Sequence, residues 1–322
     1  MSYFEIGILK RLSLRKLSDK IAKKDSFLLL GPRQTGKTTL LKEIFEKHLG
    51  PKLNYFFQLP SQRIRIEGDP EILIKEVRAI KKNTPVLVWI DEIQKVPAVF
   101  DVLQFLLDEK SIIFMGSGSS ARKLRKFGQN WLPGRIHLEY LHPLCCTEVE
   151  GLAYQYELSD FLLYGSLPAI VTEKDMNRRH QDLMAYTTLY LEEEIRAEAL
   201  TKNIPRFSSF LKLAALESGT SPNFSKIASA IGTTPPTVTT YYHILEDTLT
   251  TFLLPPFGTK RSQVIKSPKY YFFDTGVRNS AAQVYHSEGI LTLQKGILFE
   301  HFIINELRVH CPSDVRLSYW RT

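Results

Sequence analysis

Gly31-Pro32-Arg33-Gln34-Thr35-Gly36-Lys37-Thr38 has the GxxxxGK[ST] spacing of a phosphate-binding loop. Glycines let such a backbone wrap an anion with its N–H groups pointing inward, and a following helix presents its positive end to the same charge. Lys37 is expected to reach the β- and γ-phosphates and Thr38 to give its hydroxyl oxygen to Mg²⁺, with residues 31–39, Thr39 included, forming the nucleotide-binding segment. About fifty residues later the apolar run Val86–Ile90 ends in Asp91 and Glu92. Carboxylates at a buried strand tip are costly unless they serve a cation. Asp91 therefore reads as a magnesium ligand, and Glu92 as the base that orients and deprotonates an attacking water. Ser117, after the run Ile112–Met115, is either a contact to the γ-phosphate or water, or part of a flexible Gly/Ser turn. Arg135 is either an arginine finger offered to a neighbouring copy, or one half of a surface ion pair. Taken together these residues point to ATP and Mg²⁺ as ligands and to phosphoanhydride hydrolysis as the reaction.

The elements that must hold these residues are legible as alternating patterns. Strands are expected at Phe27–Leu30, Leu53–Leu59, Val86–Ile90 and Ile112–Met115. Helices are expected at Lys37–His48, Pro70–Lys81 and Pro97–Glu109, two of them opening on a proline. Strands separated by helical crossovers imply a parallel sheet covered on both faces. Leu9, Leu12, Leu17 and Ile21 give residues 8–24 an amphipathic helix, expected to dock on that sheet rather than on a membrane surface. Helical patterns dominate residues 151–254, followed by the aromatic strand Lys269–Asp274 and a helix over 296–310.

A chain of 322 residues, 43% hydrophobic and 24% charged, has the material for more than one core. No apolar run approaches the ~20 residues that span a bilayer, and the basic N-terminus lacks a signal-peptide pattern, so a cytoplasmic protein is expected. Cys145, Cys146 and Cys311 form no CxxC and read as reduced, structural thiols. The net charge of +8 makes an anionic polymer such as double-stranded DNA a plausible partner, with a protein partner or a second copy of the chain as the alternatives expected.

Ser225–Ile231, Gly232 and Pro235–Asp247 have helix-turn-helix form, with Ile227, Ala228, Ile231, Val238, Tyr242 and Leu245 facing inward. Thr237, Thr239, Thr240 and His243 are left facing outward, and Lys260, Arg261, Lys266 and Lys269 would lie on a following hairpin. The second helix has no lysine or arginine before Asp247, which excludes base readout through arginine. Asp274-Thr275-Gly276 has the form of an aspartic protease loop, but a single copy cannot supply the two carboxylates that chemistry needs.

The ordered blocks GPRQTGKTTL (31–40), WIDEIQKVP (89–97), GSGSSARKL (116–124), LPGRI (132–136), YGSLPAIV (164–171), YLEEEI (190–195), KYYFFDTGVRN (269–279) and GILFEHFIINEL (296–307) together resemble a bacterial and archaeal group of AAA-type ATPases. The resemblance covers nearly the whole chain. It implies an α/β fold: a P-loop NTPase with an AAA/ASCE-type parallel sheet at 1–150, then a helical lid at 151–200, a winged helix-turn-helix at 201–275 and a truncated nuclease-like segment at 276–322. Glu300 matches the first acidic position of the PD-(D/E)xK nuclease fold. The sequence stops at Thr322, before the Asp and Glu-x-Lys that complete that site, so no nuclease activity is expected.

Overall fold

The computed structural model describes residues 9–80, 84–120, 132, 134–150, 152, 154–190, 203–258, 267–284, 288–311 and 315–320. The chain divides into two compact units, Lys10–Leu141 and the part from His142 onward together with Leu9. That division falls ahead of the expected boundary at 150.

In the first unit, helix α1 (Leu12–Ala22) is followed by β1 (Ser26–Leu30), α2 (Lys37–Lys47), β2 (Lys52–Phe56), α3 (Pro60–Gly68) and α4 (Ile72–Ala79). Strand β3 (Val86–Asp91), α5 (Val99–Asp108), β4 (Ile112–Gly118) and β5 (Ile136–Tyr140) complete it. The sheet order is β2-β3-β4-β1-β5 and every pairing is parallel. Strands β1, β3 and β4 are buried along their whole length, which is why they read as continuous apolar runs. Helix α1 buries Leu17 and Ile21 in the same core as β1 and α2, and its Lys16 and Lys20 pair with Glu139 at 2.6 and 3.3 Å. It thus docks on the sheet, as expected.

Three expectations need adjustment. Strand β2 stops at Phe56 rather than Leu59, because Pro60 opens α3 four residues on. Helix α3 itself is not anticipated from the sequence; only Ile66 of its nine residues is buried, so it carries almost no apolar period. Strand β5 is likewise unanticipated. It is a sheet edge with half its face in water, and an edge needs no apolar run.

The second unit contains α6 (Cys146–Val149), α7 (Leu158–Tyr164), α8 (Pro168–Thr172), α9 (Met176–Ala185), α10 (Ile204–Leu216), α11 (Phe224–Ala230) and α12 (Pro235–Asp247). Hairpin strands β6 (Thr251–Leu254) and β7 (Lys269–Phe272), α13 (Thr275–Ala281) and α14 (Glu288–His310) follow. One apolar core joins residues from α7 through α14, so the segments expected as lid, helix-turn-helix and C-terminal piece share a single interior. Helices α11 and α12 are joined by a turn in which Gly232 has φ +64°, and β6 and β7 pair antiparallel. Ile227, Ala228, Val238, Tyr242 and Leu245 are buried as expected; Ile231, Thr237 and Thr239 are half-buried, and Thr240 and His243 are exposed. Of the expected hairpin charges, Lys260, Arg261 and Lys266 lie outside the described residues, and Lys269 pairs with Glu300 at 2.7 Å.

Two sequence blocks interlock at the centre of this unit. Asp274 caps α13, accepting the Val277 N–H at 2.9 Å, and also accepts the Ser166 N–H at 2.7 Å. Burial pushes its carboxyl up to about 6, partly offset by these backbone donors. Asn279 donates to the carbonyls of Leu162 and Leu163 at 2.9 and 3.0 Å. The Asp-Thr-Gly triplet is therefore a helix cap. A Cβ on Gly276 would lie 2.0 Å from the Tyr164 carbonyl oxygen, a backbone atom that cannot step aside. Gly276→Ala is expected to destabilise the protein by about 2–3 kcal/mol, measured as a lowered midpoint of denaturant unfolding at unchanged slope; an unchanged midpoint would contradict this packing.

Candidate functional site

The loop between β1 and α2 is shaped by its own sequence. Gln34 (φ +62°) and Gly36 (φ +90°) both adopt left-handed conformations, which turn successive N–H groups toward one concavity. Gly31 must lack a side chain, because a Cβ there would lie 2.4 Å from the Leu141 carbonyl oxygen. Thr35 is buried and donates to the Pro32 carbonyl at 2.9 Å, which closes the loop. Gly31 and Pro32 are buried, Arg33 and Gly36 half-buried, and Gln34, Thr38 and Thr39 exposed. Lys37 is buried and lies across the loop, donating to the carbonyls of Gly31 (2.8 Å) and Pro32 (2.7 Å). An ammonium drawn back onto two backbone carbonyls is a cation positioned at the mouth of an anion-sized cradle.

Parallel pairing brings the acidic residues to the same edge. Strand β4 lies between β1 and β3, with Leu29 opposite Ser117 and Ile90 opposite Gly116. Asp91 accepts the Thr38 hydroxyl at 3.2 Å on both oxygens, and the Ser117 hydroxyl on one of them. Ser117 in turn accepts the Glu92 N–H at 3.1 Å. Burial pushes the Asp91 carboxyl above its ordinary range; the Ser117 bond opposes this, the Glu92 charge adds to it, and Thr38 and Lys37 pull it back. A hydroxyl and a buried carboxylate in contact form an oxygen-only donor pair that suits a hard cation such as Mg²⁺. The donor chemistry therefore fits the expected ion.

Glu92 sits at φ +56°, a left-handed conformation unusual for a non-glycine residue. Its carboxylate accepts the Gln94 amide, and the Ser119 hydroxyl at 3.1 Å; Gln94 also donates to Ser119 at 3.2 Å. Gln94 and Ser119 are thus parts of the site that the sequence alone does not single out. The signal available is positional: Ser119 follows Ser117 by two residues at the strand's end, and Gln94 follows Glu92 by two.

The structure separates Arg135 from this group. Arg135 precedes β5, whose Ile136 pairs with Ser26 at the start of β1, whereas the loop follows the end of β1. Five residues at about 3.3 Å each put roughly 16 Å between the two edges. Arg135 makes a two-pronged contact with Asp108, at 2.6 and 3.1 Å. Within one copy it is on the far edge of the sheet. The basic cluster Arg122, Lys123, Arg125 and Lys126 lies outside the described residues.

A parallel sheet ordered this way, with a Gly-Lys-Thr loop after its first strand, is the P-loop NTPase fold. Residues 23–150 match an AAA domain family, and residues 155–288 match a domain of unknown function, DUF8612. Over 303 residues the chain is 26% identical to an uncharacterized protein of Mycobacterium tuberculosis, covering 92% of this chain and 64% of the relative. It thus spans less than two thirds of that relative's length. An uncharacterized protein of Methanocaldococcus jannaschii is 23% identical over 92% of this chain and 71% of its own. Among solved structures, a Walker-type ATPase of Pyrococcus abyssi superposes with a TM-score of 0.59 at 17% identity, over 85% of this chain and 96% of that one. These likenesses support an AAA-type P-loop ATPase fold. No helix among the described residues is long and apolar enough to cross a membrane.

The Ser117 hydroxyl serves two partners, so its loss leaves the half-buried Glu92 N–H and a buried Asp91 oxygen without it. Ser117→Ala is expected to cost about 1–3 kcal/mol of stability, read from chemical denaturation without nucleotide. An unperturbed midpoint would show that the hydroxyl holds neither residue.

Proposed function

We propose that this protein binds ATP with Mg²⁺ through residues 31–39 and hydrolyses it. The observation that carries the reading is the set of contacts linking Thr38, Asp91 and Ser117 beside the buried ammonium of Lys37. Lys37 leaves the loop carbonyls to meet the β- and γ-phosphates, and the loop N–H groups hold the remaining oxygens. Thr38 and Asp91 are the residues that would hold Mg²⁺, which when bound neutralises charge on the phosphate oxygens. Glu92 takes a proton from water as the water oxygen bonds to the γ-phosphorus. The bond to the β–γ bridging oxygen breaks and ADP departs with its electrons. Gln94 and Ser119 fix the carboxylate of Glu92, and Ser117 fixes the backbone that carries it.

Arg135 is proposed as a finger only for a second copy, since its place at the opposite edge of the sheet is remote from its own loop. Helices α11 and α12 with the hairpin β6–β7 fit a winged helix. Helix α12 presents Thr240 and His243 but no lysine or arginine, and Lys269 is engaged by Glu300. These features favour a protein partner over duplex DNA as the receiver of the nucleotide signal. Glu300 is held by Lys269 and the Tyr271 hydroxyl, which supports a structural rather than nucleolytic role.

Steady-state ATP turnover by wild type and Glu92→Gln, with and without duplex DNA at about 0.15 M salt, tests the proposal. The variant is expected to lose at least about 100-fold in kcat while still binding nucleotide, and DNA is expected to leave turnover unchanged. Equal turnover in both proteins would contradict the role of Glu92; stimulation by DNA would overturn the preference for a protein partner.

A further inference from the structure

The cysteine spacing in the sequence forms no metal motif, yet the fold of the second unit assembles one from distant positions. Cys145 stands immediately before α6, and Glu306 and His310 lie one turn apart at the end of α14. One Sγ, one carboxylate oxygen and one imidazole nitrogen from these three residues all lie within 4.8 Å of one another. Cys145 is buried, Glu306 half-buried and His310 exposed, so the group opens to solvent on the imidazole side. The Glu306 oxygens accept the Cys146 N–H at 3.2 and 3.3 Å, and His310 Nε2 is 3.6 Å from the same carboxylate.

Thiol, carboxylate and imidazole are each a good ligand for a divalent metal, and the fold places one of each side by side. Helix capping accounts for part of the arrangement: the Cys145 N–H donates to Glu148 at 3.2 Å. Capping also engages the Cys145 thiol, which accepts the Glu148 N–H and lies 3.3 Å from the Thr147 hydroxyl, whereas His310 has no part in it.

We propose that Cys145, Glu306 and His310 bind a single thiophilic divalent cation, Zn²⁺, which ties the start of α6 to the end of α14. Ligand atoms around a tetrahedral zinc lie roughly 3.3–3.8 Å apart, so the present spacing closes by about 1 Å through side-chain rotation. The fourth position is left to water. Sulfur and imidazole select Zn²⁺ over Mg²⁺, which distinguishes this site from the oxygen-only pair Thr38 and Asp91. The residues all belong to the second unit, so the proposal does not depend on the nucleotide reading.

The test uses the full chain, reduced and metal-free, without nucleotide. Zn²⁺ is titrated against a chromophoric chelator, and Co²⁺ is added separately to read the near-ultraviolet thiolate-to-cobalt band. One equivalent of Zn²⁺ and a thiolate band are expected. Cys145→Ser, a near-isosteric change, should abolish the band. Glu306→Gln and His310→Ala should each weaken Zn²⁺ binding at least about tenfold, and Cys311→Ser should change neither. Circular dichroism of each apo variant establishes that it folds. If Cys145→Ser destroys the fold, the test passes to His310→Ala, whose residue is exposed. A wild type that shows no thiolate band, or a band that survives both Cys145→Ser and His310→Ala, overturns the proposal.

Discussion

The candidate site of the first unit depends on one constraint: β1, β3 and β4 run parallel, adjacent and fully buried. Parallel strands end at the same edge, so whatever follows each apolar run is delivered to one place. The phosphate loop after Leu30, the acids after Ile90 and the serines after Met115 are three such endings. Their meeting costs desolvation, seen in the raised carboxyl of Asp91. That cost is offset by the hydroxyls of Ser117 and Thr38 and by the nearby ammonium of Lys37, which together leave a carboxylate that a hard cation would stabilise further.

The local chemistry of the loop is legible in the sequence because its requirements are contiguous: eight residues contain the glycines, the lysine and the hydroxyl. Asp91 and Glu92 are legible because an apolar strand ending in acids follows the loop lysine by about fifty residues. Ser117 stands out as a residue, but its bonds to Asp91 and to the Glu92 backbone are not legible, since they depend on the pairing of neighbouring strands. Gln94 and Ser119 are not legible, since their roles depend on how the left-handed turn at Glu92 aims its carboxylate. Strand β5 and helix α3 escape because exposed elements bury too little to impose a period.

The second unit makes the opposite point. Its motifs read as separate modules, but Asp274, Thr275 and Asn279 bind the backbone of residues 161–166, and Arg278 donates to the carbonyls of Ala215 and Leu216. These are buried polar contacts between segments far apart in sequence, and no local pattern encodes them. The Cys145, Glu306 and His310 cluster belongs to the same class: three ordinary residues become a ligand set only when α6 and α14 are brought together.

Whether the 31–38 loop and Asp91 hold a magnesium nucleotide is tested most directly by calorimetric titration with a non-hydrolysable ATP analogue, with and without Mg²⁺. The proteins to compare are wild type, Lys37→Ala and Asp91→Asn. One site per chain is expected, with at least about tenfold weaker binding in Lys37→Ala and loss of the magnesium dependence in Asp91→Asn. Binding of equal affinity in all three proteins, or no binding by wild type, would contradict a magnesium-nucleotide site at this edge of the sheet.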